Sequence, residues 1–199
     1  MCISQSKLCH YNFIPIAVGI CAFLFFFCFC TERNKISLPI DFFQEVLTIE
    51  IKDDSTAKVT GTYFFENLTS EEKNIKFYYP FPVDSFHDFP DTILLDYSYE
   101  KDSAGTGIFF NMAIGARAGS QFTITYKQKL KGTFFRYITT TTKQWQRPIK
   151  KAYFEITAPA HLQARFNYPL AEDRIIGPIH YYAIKLKKFF PDEDLIIDW

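Results

Sequence analysis

The feature that most constrains this fold is a regular alternation of apolar and polar residues. Between Lys58 and Val83 the chain reads KVTGTYFFENLTSEEKNIKFYYPFPV. The residues expected on the buried face are Val59, Gly61, Tyr63 and Phe65, followed by Ile75, Phe77, Tyr79, Phe81 and Val83. An alternation with a period of two residues places one face of a strand in the core and exposes the other to solvent. The stretch therefore predicts two β-strands joined by a polar loop.

The same pattern recurs down the chain and predicts about nine to eleven short strands separated by turn residues. Asp53 to Thr56 is typical of a hairpin turn, and the β-branched and aromatic stretch from Phe134 to Thr142 is predicted to be a strand. We see no convincing amphipathic helix, so the crossovers of a parallel sheet are missing. The prediction is all-β: an antiparallel, immunoglobulin-like β-sandwich over residues 44–199, preceded by an N-terminal hydrophobic signal or anchor helix.

That N-terminal segment, from Phe13 to Cys30, is apolar and uncharged. A run of this length is just sufficient to span a bilayer and also suits a long signal-peptide core. Residues 1–30 are therefore predicted to be a signal peptide or membrane anchor. Residues 31–43 are predicted to be a tether, which Pro39 keeps extended.

Three interpretations of the segment stay open: a lipoprotein signal, an uncleaved anchor and a cleaved signal peptide. Cys30 and Cys28 are the candidate lipidation sites, because they end the apolar run just before a polar stretch. Their preceding residues, Phe29 and Phe27, are bulky where a lipobox has a small residue. We expect the body outside the cytoplasm, in the periplasm or at the cell surface; an anchored domain that faces the cytosol is the alternative.

Composition narrows the classes of function. All five cysteines lie in the first 30 residues, so the body has neither a disulfide framework nor a cysteine-ligated zinc site. The 22 basic and 22 acidic side chains cancel. A nucleic-acid partner is not expected without a basic excess. No nucleotide-binding loop or nucleophile elbow occurs, and we predict no cofactor and no catalytic residue.

The histidines and acidic residues of the body are the candidate metal ligands. His87, His161 and His180 lie far apart in the sequence, and none has the spacing of a zinc-peptidase motif. The loop from Asp84 to Asp91 carries oxygen ligands, but its spacing matches no calcium loop and indicates a solvated acidic loop. No metal site is therefore predicted.

One candidate binding patch surrounds a tryptophan. Its members are Trp145, Lys143, Arg147, Lys150 and Lys151. An exposed tryptophan among cations is suited to an anionic surface or a glycan. The alternative is a tryptophan packed over the end of the sandwich with solvated lysines around it.

Two stretches carry a resemblance. The run from Val59 to Asn67, followed by Tyr79-Pro80-Phe81-Pro82, resembles uncharacterised exported bacterial β-sandwich domains. It is loosely similar to VIT-type domains, which precede von Willebrand A modules. The stretches Gly119 to Tyr126 and Arg136 to Ile149 resemble later parts of the same group. The resemblance implies a sandwich fold and a cell-surface setting, and it carries over no catalytic residue.

These observations favour a non-enzymatic, membrane-tethered extracytoplasmic module that binds another protein or supports a surface assembly. The membrane is the partner of the N-terminal segment, and a protein is the expected partner of the body. The alternative is an accessory domain of an enzyme, or a carbohydrate- or anion-binding module that uses the Trp145 loop.

Overall fold

The structure, a computed structural model, describes residues 38–199. The predicted signal or anchor segment and its candidate lipidation sites, Cys28 and Cys30, lie outside the described residues. Residues 38–199 belong to one compact unit. Among the described residues no helix is long and apolar enough to cross a membrane.

Thirteen strands and one short 3-10 helix make up this part of the chain. The strands are β1 (Ile40–Lys52), β2 (Thr56–Asn67), β3 (Lys73–Pro80), β4 (Thr92–Leu95), β5 (Tyr99–Lys101), β6 (Gly107–Ile114), β7 (Gly119–Lys129), β8 (Phe134–Tyr137), β9 (Ile149–Pro159), β10 (Arg165–Phe166), β11 (Glu172–Ile176), β12 (Ile179–Phe189) and β13 (Leu195–Asp198). The 3-10 helix spans Thr140–Trp145.

The strands build a large sheet and two small ones. The seven-stranded sheet has the order β11-β12-β9-β1-β2-β7-β4, and the three-stranded sheets have the orders β10-β13-β8 and β3-β6-β5. Both small sheets pack on the same face of the large one. Phe77 of β3 contacts Phe122 of β7, and Phe166 of β10 contacts Tyr182 of β12. The predicted all-β sandwich is confirmed in this two-layer form.

One pairing corrects the predicted all-antiparallel, immunoglobulin-like arrangement. Strand β9 lies parallel to β1, with Leu47 opposite Phe154 and Ile49 opposite Ile156. Parallel neighbours need a long connection, and the strands from β2 to β8 supply it. Both strands have buried apolar residues at these paired positions, so the register puts four core side chains on one face.

Two segment boundaries also differ from the predictions. Strand β1 begins at Ile40, inside the predicted tether. The stretch predicted as a strand up to Thr142 leaves β-structure after Tyr137 and becomes the 3-10 helix. Asp194 explains that change, because one of its carboxylate oxygens accepts hydrogen bonds from the backbone N–H groups of Thr139 and Thr140. Those hydrogen bonds hold the chain in a turn at the point where the strand pairing of β8 would otherwise continue.

Candidate binding surface and cleft

The predicted tryptophan patch is built into the sandwich. Trp145 is half-buried and its ring lies 5.4 Å from the Phe65 ring and 6.1 Å from the Phe42 ring, measured between centroids. The β-bulge at Phe42 and Gln44 shifts the alternation of β1, which turns Phe42 inward to meet it. The ring is therefore part of the packing of the sandwich.

The cations around Trp145 are largely paired. Lys150 Nζ lies 2.9 Å from a carboxylate oxygen of Asp41, and Arg147 lies 3.9 Å from the other. Lys143 pairs with Asp192 at 2.9 Å. Lys151 is exposed and lies opposite Gln44 in the parallel pair. The five predicted residues are thus neighbours, but most of their charge is met by carboxylates of the same chain.

The acidic loop from Asp84 to Asp91 is anchored by a buried histidine, which corrects its description as a solvated loop. His87 is fully buried, its Nδ1 lies 2.7 Å from Asp84, and its Nε2 accepts the backbone N–H of Arg136. Burial acts to raise the pKa of Asp84, but hydrogen bonds from His87 and Phe86 and the charge of Arg136 hold it below its usual value. Within residues 38–199 no three acidic, histidine or cysteine side chains are grouped to hold a metal ion.

An exposed apolar surface lies instead at the edge of the large sheet, where sequence reasoning placed nothing. Ile176 of β11 and Ile179 of β12 are cross-strand partners, and their exposed fractions are 57% and 46%. Arg174 and Tyr181 are also cross-strand partners, two residues further along each strand and on the same face. The Arg174 guanidinium carbon lies over the Tyr181 ring, 4.5 Å from its centroid. We call these four residues the corner surface.

A hydrogen-bonded group supports the corner surface from the adjoining strand. The hydroxyl of Tyr181 donates to Glu155 at 3.1 Å and lies 3.0 Å from the hydroxyl of Tyr153. Tyr153 also donates to Glu155, at 2.7 Å. The hydrogen bond with Tyr181 is the largest factor that raises the pKa of Tyr153. These contacts hold both tyrosine rings in place.

The opposite face of the same hairpin lines a cleft. Asp173 and Ile175 of β11 alternate with the corner-surface residues and so point to the inner side, where His180 and Tyr182 of β12 meet them. The cleft has a volume of about 620 Å³, and Arg165 and Trp199 line its other wall. We call it the corner cleft. The sequence signal for this hairpin is the turn Ile176-Gly177-Pro178-Ile179, which lies between the mixed polar and apolar strands β11 and β12.

No family model matches the sequence, and no curated protein matches it. Solved structures do share the fold. A Legionella pneumophila protein provisionally named a nutrient binding protein superposes with a TM-score of 0.59 and 16% identity, over 81% of this chain and 67% of that one. An M1 zinc metallopeptidase from Deinococcus radiodurans superposes with a TM-score of 0.50 and 7% identity, over 80% of this chain.

These similarities concern the fold alone, because the identities are so low. This chain covers 42% of the peptidase chain, less than half of it. This architecture therefore occurs within a zinc metallopeptidase and in a protein that is named for nutrient binding.

Proposed function

We propose that this chain is a non-enzymatic, membrane-tethered extracytoplasmic β-sandwich module that binds another protein through the corner surface. The observation that carries the proposal is the exposed Ile176–Ile179 pair beside the Arg174–Tyr181 stack. Tyrosine and arginine are enriched among the residues that dominate binding energy at protein interfaces. Large exposed apolar side chains that adjoin one another are typical of interaction sites.

The position of the corner surface adds a second mode of contact. Strand β11 is at the edge of the seven-stranded sheet and has a single paired neighbour, β12. An edge strand presents unpaired backbone N–H and C=O groups, which an extended segment of a partner can pair with. Backbone pairing would supply affinity, and the isoleucine and tyrosine side chains would supply specificity.

The membrane part of the proposal is supported by the sequence. The uncharged apolar run that ends at Cys30 precedes the body, and the resemblance to uncharacterised exported bacterial β-sandwich domains agrees with a cell-surface setting. The intact mass of the natively produced chain tests this part, together with fractionation. A membrane-bound chain, either cleaved before Cys28 or Cys30 and acylated or left uncleaved, is expected. A chain found in the cytosolic fraction would contradict it.

The binding part can be tested in the cells that produce the chain. A photo-crosslinking amino acid at position 176 is expected to give one discrete adduct of higher mass. The matched control is the same amino acid at position 94, since Leu94 is 62% exposed on β4 at the other edge of the sheet. Equal adducts at both positions, or none at position 176, would contradict the proposal.

An accessory domain of an enzyme is the second candidate. It is favoured by the peptidase comparison, in which a chain of this fold makes up less than half of a larger protein. The crosslinking experiment separates the two hypotheses, because an accessory domain should crosslink to a catalytic chain and a surface-assembly module to a non-catalytic one.

A further inference from the structure

We propose that the corner cleft binds a neutral saccharide. This inference goes beyond the proposed function, because it concerns the inner face of the β11–β12 hairpin and not the corner surface. The volume of about 620 Å³ lies within the range of ligand pockets, about 300–1,000 Å³. Strands β11 and β12 supply one wall, and the β10–β13 pair supplies Arg165 and is continued by Trp199.

A chain of hydrogen bonds fixes the polar wall of the cleft. His180 Nε2 lies 2.6 Å from Asp173 Oδ1, and its Nδ1 lies 2.7 Å from the Tyr182 hydroxyl oxygen. That hydroxyl also accepts the backbone N–H of Ala164 at 3.3 Å. These contacts assign the ring proton to Nε2, which donates to the carboxylate, while Nδ1 accepts from Tyr182.

The Asp173 carboxylate is therefore a prearranged hydrogen-bond acceptor at the mouth of the cleft. Both ring nitrogens of His180 are engaged, so the ring holds the Asp173 carboxylate in place. Within residues 38–199 the second oxygen of that carboxylate has no hydrogen-bond partner, and the side chain is 56% exposed. A ligand that donates a hydrogen bond can therefore use it without disturbing the chain of bonds.

The opposite wall supplies donors. Arg165 Nη2 donates to Asp198 at 2.6 Å, which orients the guanidinium and leaves its other N–H groups for a ligand. Gln163 adds an exposed side-chain amide, which both donates and accepts. The cleft thus offers donors on one side and an acceptor on the other.

The charges of the lining select a neutral ligand. An anion that approaches Arg165 also approaches Asp198, and a cation that approaches Asp173 also approaches Arg165 across the cleft. A ligand of either sign therefore meets a group of its own sign. Hydroxyl groups carry no such penalty, since each can donate to the carboxylate and accept from the guanidinium.

The aromatic lining completes the class. Trp199 is partly buried against the core and lines the cleft. Tyr182 is 1% exposed, with the ring centroids of His180 and Phe166 4.1 and 4.8 Å away. Trp199 is therefore the aromatic ring of the lining that is left to contact a ligand. The face of an aromatic ring is electron-rich and attracts the polarised C–H groups on the flat side of a sugar ring. Several hydroxyls together with one apolar face describe a saccharide, which separates it from other small neutral polar molecules.

The test uses the full chain purified in a non-ionic detergent that carries no sugar headgroup. Glucose, galactose, mannose, N-acetylglucosamine and cellobiose are the neutral probes, and glucuronate, glutamate and arginine are the charged ones. Saturation-transfer NMR detects binding, and titration gives Kd. At least one neutral probe is expected to bind, and Asp173→Asn is expected to weaken its binding at least ten-fold.

Asp91→Asn is the matched control, because Asp91 is an exposed carboxylate in a loop away from the cleft, and it should leave Kd unchanged. Circular dichroism checks that each variant is folded, and Gln163→Ala is a second variant at an exposed position that should also weaken binding. Three results would overturn the proposal. These are no neutral probe bound, a Kd that neither cleft variant changes, and tighter binding of a charged probe than of every neutral one.

Discussion

The buried carboxyl group of Glu45 should make the stability of the sandwich depend on pH near neutrality. Glu45 is 1% exposed and lies on the inner face of β1. Its Oε1 accepts the hydroxyl of Tyr137 at 2.9 Å, and its Oε2 has no partner within residues 38–199. Burial raises the pKa of Glu45 from 4.5 to about 7, and the Tyr137 hydrogen bond opposes part of that rise.

The magnitude and sign follow from linkage. Between pH 4.5 and about 7 the folded chain keeps a proton that the unfolded chain releases. The stabilisation is therefore complete below pH 4.5 and is lost as the pH rises through about 7. At about 1.4 kcal/mol per pKa unit, the free energy of unfolding should fall by about 3 kcal/mol across this window.

Glu45→Gln removes the titrating group and keeps a carbonyl oxygen to accept the Tyr137 hydroxyl. Urea unfolding of the full chain in detergent is monitored by circular dichroism at pH values from 4.5 to 8. The free energy of unfolding should decline with pH in the natural chain and stay much flatter in the variant. Tyr137→Phe should move the midpoint of the decline to higher pH, because that hydrogen bond lowers the pKa.

Glu50→Gln is the matched control, since Glu50 lies on the same strand with its side chain 38% exposed and should not alter the profile. Parallel profiles for the natural chain and Glu45→Gln would contradict a raised pKa of Glu45. So would a natural chain that becomes more stable, relative to the variant, between pH 5 and 7.

Four further substitutions test buried polar groups and their hydrogen bonds. Tyr126→Phe removes a buried hydroxyl that has no partner in the described part of the chain, so we expect the free energy of unfolding to be unchanged or raised by about 1 kcal/mol. Tyr63→Phe, by contrast, loses hydrogen bonds to two other tyrosines and should cost about 1–3 kcal/mol; equal effects in the two variants would contradict this difference. Asn67→Ala leaves three backbone carbonyl groups without their shared amide donor and should cost about 2–3 kcal/mol in urea unfolding, whereas the exposed Asn74→Ala should cost almost nothing. Asp194→Ala should speed proteolysis within the 3-10 helix, because the helix start loses its carboxylate acceptor; a cleavage rate like that of the natural chain would count against that role.

The sequence was sufficient for the class of fold because alternation is a local signal. The faces predicted for Tyr63, Phe65, Phe77 and Tyr79 are the buried faces in the structure. Phe122, Ile124 and Tyr126 of β7 follow the same rule. Each assignment depends only on the period of a strand and needs no knowledge of which strand pairs with which.

Strand pairing and tertiary contacts could not be predicted from the sequence, because they join residues that are far apart in the chain. The parallel β1–β9 pair joins residues about a hundred positions apart, and nothing local distinguishes it from an antiparallel pair. Asp194 ends β-structure near Thr139 from 55 positions further along the chain. His87 looked solvated among aspartates, and only the fold shows that it is buried against Arg136.

The candidate sites were missed because their signal is divided between two faces of one hairpin. Along β11, Asp173 and Ile175 face the cleft while Arg174 and Ile176 face outward. In the sequence this is one mixed polar and apolar stretch, with neither a catalytic motif nor a metal spacing. The cations near Trp145 in the sequence predicted a binding patch there. In the structure the Trp145 ring packs against Phe65, and most of those cations are paired with carboxylates.

The most direct test of the central claim measures the affinity of the corner surface for the protein that crosslinks at position 176. The purified full chain is titrated with that partner and compared with Ile176→Lys, and with Leu94→Lys on the opposite sheet edge as the matched control. Placing a charge at the centre of an apolar contact should raise Kd at least ten-fold, which is about 1.4 kcal/mol. Leu94→Lys should leave Kd unchanged. If Ile176→Lys binds as tightly as the natural chain, or if both variants lose affinity equally, the corner surface is not the binding site.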